Sequence, residues 1–419
     1  MRASHSVVLL PLVVVVAMFA GCKDSERNAT AHSVGISDAV GDVDAELSQL
    51  LEQHQFTGRI EQTLEGKLGR PINKPLAEIG NLLFFDRILS IHSQPDGSFG
   101  NTCSGCHAPT TGMSDTQSIA IGIDPDPSHG VVGPNRRGAR NQRRTPSVIN
   151  NAFYPRLMWD GRFFAPSGSP FDNSQGFTFP PPEGTTRFPA GDKEITHLLI
   201  AQAHIPPTEN PEMSGFTGAK SLETLNIAAL RLKTASLDDA AVPAERTSAI
   251  STFSNRQPSS NQAALARFTG TEMAPCERKA SLFDDGHGTA VPFASDNVSE
   301  ATRALVEARV NNIPAYVQLF AAVFEDVKRT GKVRFTHVAQ AIAEFEISLS
   351  FASAPIDLYA RGDKAALSDS QKRGAVVFFR DNSCVSCHAV AGQSNEMFSD
   401  FKNRQIAVPQ IAPEYGPGR

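Results

Sequence analysis

Gly80-Asn81-Leu82-Leu83-Phe84-Phe85, followed by Cys103-Ser104-Gly105-Cys106-His107, returns in outline as Gly374-Ala375-Val376-Val377-Phe378-Phe379 followed by Cys384-Val385-Ser386-Cys387-His388. An apolar helical segment thus precedes a Cys-x-x-Cys-His motif twice in one chain. Two thiols one helical turn apart suit the two vinyl groups of a porphyrin, and a histidine directly after them reaches the iron from the proximal side. Zinc is the competing use of such cysteines. Zinc ribbons, however, space their Cys-x-x-Cys pairs by about 15–20 residues, whereas Cys103 and Cys384 are 281 positions apart. Disulfides are the other use in an oxidising compartment, yet two copies of the motif point to two covalently bound haem c groups. Cys103, Cys106 and His107 would hold one, and Cys384, Cys387 and His388 the other. The expected fold is mainly α: two cytochrome c-like helical domains, each around one c-type haem, with long irregular loops.

Outward from the motifs, Leu76, Ile79, Leu83 and Phe84 fall at helical spacing behind Pro75, a residue suited to a first turn. Ser368 and Gln371 form a capping box for the second copy's helix, which should end in the polar turn Asp381-Asn382-Ser383. Val338, Ile342, Phe345 and Leu349 make one apolar face after Thr336, the expected N-cap. Strand-like alternation is scarce. Ala165 to Gly191 is dense in Pro, Gly, Ser and Phe and reads as a long surface loop around the first domain.

The ends of the chain add an address. Arg2 precedes an apolar run from Val7 to Phe19, the pattern of an export signal. Phe19-Ala20-Gly21-Cys22 is similar to a lipobox, in which Cys22 would be acylated; a plain signal peptide is the alternative. The expected organisation is a signal peptide with lipobox over 1–22, a flexible tether over 23–55, and an N-terminal haem domain with a loop insertion over 56–235. An unassigned insertion over 236–300 and a C-terminal haem domain over 301–419 complete it. The localisation implied is periplasmic, with the membrane reached only through an N-terminal lipid anchor. A net charge of -5 with mixed signs offers no footprint for nucleic acid. Cys276 is left without a role.

Resemblance extends the reading. Leu82-Leu83-Phe84-Phe85-Asp86 with Leu89-Ser90, Gly112-Met113-Ser114-Asp115 after the first motif, Thr145-Pro146-Ser147-Val148-Ile149-Asn150, and Trp159-Asp160-Gly161-Arg162 together resemble bacterial di-haem cytochrome c peroxidases and their MauG-type relatives. The likeness continues at Gln202-Ala203, at Asn210-Pro211-Glu212-Met213, and from Pro314-Ala315-Tyr316 to Cys387-His388. It implies a peroxidatic haem on His107 and an electron-transfer haem on His388. Hydrogen peroxide would be the substrate, and a small cytochrome or copper protein the electron donor. By the same likeness Glu212 is the distal acid–base, Gln202 the partner that orients the pocket, and Trp159 the aromatic between the haems. A homodimer is only weakly suggested. Without the likeness, Glu212 would read as a solvated turn residue and Trp159 as core packing.

His129 reads as a surface-loop histidine. Met213 and Met397 offer sulfurs to iron but are the sort of residue that fills cores. The family's segment beyond the second motif, which carries the distal ligand of the second haem, has no counterpart before Arg419, so the C-terminal domain is expected to be truncated. The family's calcium site also lacks clear counterparts, since Arg144 stands where a typical loop has asparagine. Two other functions stay open: MauG-like oxidation of a protein or organic substrate, and a non-enzymatic di-haem electron carrier.

Overall fold

The computed structural model describes residues 42–90, 101–122, 143–180, 183–184, 186–214 and 295–404. Before the second half of the chain they carry α1 (Val43–Gln53), α2 (Leu64–Leu68), α3 (Lys74–Phe85), the short α4 (Cys103–Cys106) and α5 (Leu198–Gln202). Later come α6 (Ser295–Asn311), α7 (Pro314–Val323), α8 (Glu325–Thr330), α9 (Phe335–Ser348), α10 (Pro355–Ala360) and α11 (Asp369–Phe379). The β-strands described are β1 (Arg156–Leu157) and β2 (Phe163–Phe164), an antiparallel pair that matches Leu157 with Phe163. The expectation of a mainly helical chain with little strand holds for these residues.

The helix α3 starts where an asparagine can cap it. Asn73 Oδ1 accepts the Leu76 N–H at 3.1 Å, and Pro75 lies in the first turn, where a missing N–H costs no helical bond. Its buried stripe of Leu76, Ile79, Leu83 and Phe84 meets Val338, Ile342 and Phe345 of α9. Gly80 stands at the crossing, where a Cβ would overlap the Ala341 carbonyl. Each large side chain removed from water in this seam contributes about 1.5–3 kcal/mol.

α9 begins two residues earlier than a Thr336 cap implies. Arg334 is the N-cap residue, and the first helical donors are met from elsewhere: Glu307 of α6 accepts the Phe335 N–H at 2.7 Å, and His337 Nδ1 accepts the Arg334 N–H at 3.1 Å. Neighbouring carboxylate and ring nitrogen replace the local hydroxyl. The second capping box is as expected, with Ser368 and Gln371 bonded reciprocally at the start of α11.

Among the described residues two larger apolar clusters organise the packing, with a small third of Phe84, Met113, Val148 and Phe345, and neither of the larger ones follows chain order. The larger joins residues between Ile60 and Met213 to Val306–Ala352, so α6, α7 and α9 complete the first motif's side of the molecule. The smaller joins Leu47, Leu51 and Phe56 to Tyr359, Val376, Phe379, Val385 and Val390. The expected break at residue 301 is therefore crossed by the core. Part of the expected tether is α1, capped by Asp42 and held through Asp44, which accepts from Tyr359 Oη at 2.6 Å and Lys372 Nζ at 2.9 Å. Leu47 and Leu51, one turn apart, supply an apolar stripe that the polar composition of the region masks.

The stretch 165–191 is also less superficial than its composition implies. Phe177, Phe179 and Phe188 are buried, and Phe179 stacks on Phe163 of β2 at 4.5 Å. Its polar residues turn the chain while its phenylalanines fill the core. A buried ion pair of Arg303 with Glu183 fixes α6 against this stretch. Among the described residues no helix is long and apolar enough to cross a membrane.

Candidate active site

Thr102 caps α4, its Oγ1 accepting the Gly105 N–H at 3.0 Å, and the His107 N–H closes the turn onto Cys103 O at 2.8 Å. The motif thus forms one helical turn with the histidine at its end. His107 Nδ1 lies 3.3 Å from Met113 O, a carbonyl presented by a residue at φ +55°. That contact assigns the Nδ1 hydrogen and leaves the Nε2 lone pair for a metal. Burial pushes the imidazole down to about 4, so it stays neutral at working pH. Phe84 of α3 sits 6.1 Å from the imidazole, ring centre to ring centre.

The second motif repeats this device. His388 N donates to Cys384 O at 2.9 Å, His388 Nδ1 lies 3.0 Å from Phe398 O, and Phe398 has φ +54°. Phe378, the counterpart of Phe84 in the repeat, also stands 6.1 Å from its histidine. The difference is exposure: Cys384, Cys387 and His388 are open to solvent, whereas Cys103, Cys106 and His107 are half-buried.

Glu212 lies on a single π-type turn, Asn210–Ser214, wound on Glu209 O, which accepts the N–H groups of Glu212, Met213 and Ser214. Glu212 is half-buried, and desolvation, aided by the charge of Glu209, pushes its carboxyl up to about 7. Asn101 joins this turn to the first motif: its Nδ2 donates to Glu212 O at 3.2 Å and lies 3.7 Å from Cys106 Sγ. Gln202 is the last residue of α5 and is half-buried.

Trp159 is not core packing; it is 64% exposed, and its indole N–H donates to Arg144 O at 2.6 Å. The loop that carries it touches both motif-bearing segments. Arg144 Nη2 donates to Asp115 O at 2.8 Å on the first side. On the second, Asn403 Nδ2 donates to Asp160 O at 2.9 Å, while Asp400 N donates to Cys387 O at 3.0 Å. Met213 is buried in the larger cluster, and Met397 packs against it.

Residues 74–285 and 271–365 match the model of a family described as di-haem cytochrome c peroxidase, which is more than half of the chain. The chain belongs to the di-haem cytochrome c peroxidase family. It is 36% identical over 137 residues to a cytochrome c551 peroxidase of Pseudomonas aeruginosa, covering 32% of this chain and 38% of that protein. It is 23% identical over 349 residues to the methylamine utilization protein MauG of Methylophilus methylotrophus, covering 83% of this chain and 60% of that one. A cytochrome c peroxidase of Escherichia coli is 37% identical over 81 residues, 18% of this chain and 17% of its own. The chain thus spans 38% and 60% of the first two relatives' lengths.

The family's haem c fits the donor set described: paired thiols on one turn and a neutral imidazole whose Nδ1 is already engaged. Among the described residues no three His, Cys, Asp or Glu side chains group to hold a metal ion, so the four motif cysteines do not converge as a zinc site would require. The second motif lies beyond the family-matched residues. Cys22, His129 and Cys276 lie outside the described residues.

Sequence reasoning passed over Glu346, Asn151 and Asp86. Glu346 of α9 is buried and pushed up to about 7 by desolvation, with Asn151 Nδ2 donating to it at 2.8 Å. Asp86 is buried and raised to about 6, accepting from Tyr316 Oη at 2.7 Å. Asp86 was visible as part of a motif, but nothing in one dimension pairs it with Tyr316.

Proposed function

We propose that the protein reduces hydrogen peroxide to water with two electrons taken in turn from a small redox protein, each turnover consuming two protons. Haem c, held through Cys103, Cys106 and His107 and through Cys384, Cys387 and His388, would supply the redox equivalents and the iron to which peroxide binds. The observation that carries the reading is the placement of Glu212: a carboxyl raised to about 7, on a turn hydrogen-bonded to the segment that holds Cys106. A group with that value both accepts and returns a proton at neutral pH, which is the demand made by cleaving an O–O bond into two waters. Glu212 takes the proton from one peroxide oxygen and delivers it to the other, and Gln202 orients that exchange.

Met113 O keeps His107 in one tautomer, so Nε2 presents its lone pair. The loop with Trp159, bonded to both motif-bearing segments, supports its role as the conduit between the two centres. The open face at Cys384 and Cys387 supports delivery of electrons there by a small cytochrome or copper protein. Export through the leader, with acylation at Cys22, would place this chemistry in the periplasm.

A second reading is oxidation of a protein or organic substrate. It is favoured by the length of the match to the Methylophilus MauG protein, 83% of this chain. Peroxide turnover with a reduced cytochrome or copper-protein donor, set against turnover with an organic co-substrate alone, separates the two. The test of the proton-transfer role is Glu212→Gln, expected to slow the reaction with peroxide by about 10²–10⁴-fold, the usual range for removing a general acid–base. An unchanged rate ends that assignment. Mature, denatured protein without haem-dependent staining or mass increment ends the whole proposal.

A further inference from the structure

The turn that carries Glu212 is gripped from outside at two consecutive carbonyls, by residues that bracket the approach to the first motif. Ser90 Oγ donates to Met213 O at 2.8 Å, and Asn101 Nδ2 donates to Glu212 O at 3.2 Å. Neither donor is loose. Asn101 turns its other end back to its own backbone, its Oδ1 accepting the Thr102 N–H at 3.0 Å, directly before the Cys103–Cys106 helix. Ser90 is fully buried, and its carbonyl accepts from Arg309 Nη1 at 2.5 Å, with Ile88 O 3.3 Å from the same nitrogen. Upstream, the Asp86 side chain accepts the Ile88 N–H at 2.9 Å and the Tyr316 hydroxyl at 2.7 Å. A chain of buried bonds therefore runs from α6 and α7 through 86–90 to the Met213 carbonyl, and Asn101 holds the neighbouring Glu212 carbonyl from the side of the motif.

The turn needs such support. The backbone N–H groups of Glu212, Met213 and Ser214 all converge on Glu209 O, the Ser214 hydroxyl donates to Thr208 O at 3.1 Å, and π-type geometry is rare and often found where a side chain is aimed. Without Ser90 the Met213 carbonyl loses a buried partner, without Asn101 the Glu212 carbonyl loses a part-buried one, and the turn is freer to reorient the carboxyl.

We propose that Ser90 and Asn101, with Arg309 behind Ser90, are positioning residues that fix the Glu212 carboxyl relative to the first haem-binding turn. The proposal rests on the reading of Glu212 as the proton-transfer group. It makes α6 part of the distal apparatus although α6 lies far along the chain from both the motif and Glu212. It also ties the distance between Cys106 and Glu212 to one side chain, Asn101.

The test uses the haem-loaded full chain and two readouts. Hydrogen exchange of the resting protein, followed peptide by peptide, should be about tenfold faster at the amides of 212–214 in Ser90→Ala and in Asn101→Ala, with α5 unchanged, as expected for one lost hydrogen bond. The rate of reaction with peroxide should fall about tenfold in each variant, but not fall further when either is added to Glu212→Gln, because the lost bond acts only through that carboxyl. Unchanged exchange at 212–214, or a full additional loss on top of Glu212→Gln, overturns the proposal. If Asn101→Ala fails to load haem, Ser90→Ala carries the test alone, since Ser90 touches neither cysteine. A wild-type rate in Glu212→Gln by itself fails the proton-transfer reading instead, and the exchange data then still decide whether the clamp holds the turn.

Discussion

Replacing Gly80 by alanine sets two effects of opposite sign against each other at the α3–α9 crossing. In an exposed helix the change would stabilise by about 1 kcal/mol, because glycine is that much poorer a helix former. Here the added Cβ would overlap the Ala341 carbonyl oxygen, lie 2.5 Å from its carbon, and lie 2.8 Å from Phe345 Cβ. The obstacle is backbone inside a helix, so no rotamer change relieves it. The carbonyl oxygen is nearer still than the carbon, so restoring ordinary contact requires the helices to part by more than 1 Å, which loosens the packing of Phe84 and Phe345 beside His107. Overpacking of this kind costs about 1–3 kcal/mol, occasionally more, and a rigid obstacle belongs at the upper end. The expected net result is a loss of about 2 kcal/mol, read as a lower urea midpoint by far-UV circular dichroism with an unchanged slope. A midpoint equal to or above that of the parent would refute the claim that backbone proximity, not propensity, selects glycine at this position.

The buried Glu346 gives a pH signature. Its folded value of about 7 exceeds the ordinary 4.5, so its contribution to stability is full below about 4.5 and is lost as pH rises through 7. Glu346→Gln should therefore match the parent near pH 4 and exceed it at pH 8, by on the order of 3 kcal/mol at most; equal urea midpoints at pH 8 would contradict this. Arg303→Ala leaves Glu183 buried without its partner and should cost about 3–5 kcal/mol, while Arg303→Met combined with Glu183→Gln should recover much of the loss; a small effect of the single change would show that the pair is not desolvated. Tyr316→Phe removes the hydroxyl that donates to Asp86 and should cost about 1–3 kcal/mol. That loss should be larger at pH 8 than at pH 5, because Asp86, raised to about 6, is ionised only at the higher pH.

Sequence by itself determined what is local. The Cys-x-x-Cys-His turns, the apolar helix before each of them, and the Ser368–Gln371 box are written in consecutive residues, because a turn of helix and its cap are closed by neighbours in the chain. The repeated pair of phenylalanines was legible too, and each copy places its first ring against a histidine. Tertiary structure alone decided the rest. It put α1 on α10 and α11 and gave α6, α7 and α9 to the first motif's core. It turned the phenylalanines of the 165–191 stretch inward and brought Ser90 and Asn101 onto the backbone of the Glu212 turn. Apart from the Phe163–Phe179 stack, 16 positions apart, these contacts join residues from about 110 to more than 300 positions apart; their energy comes from burial and from satisfying buried polar groups, neither of which a residue's neighbours in sequence reveal.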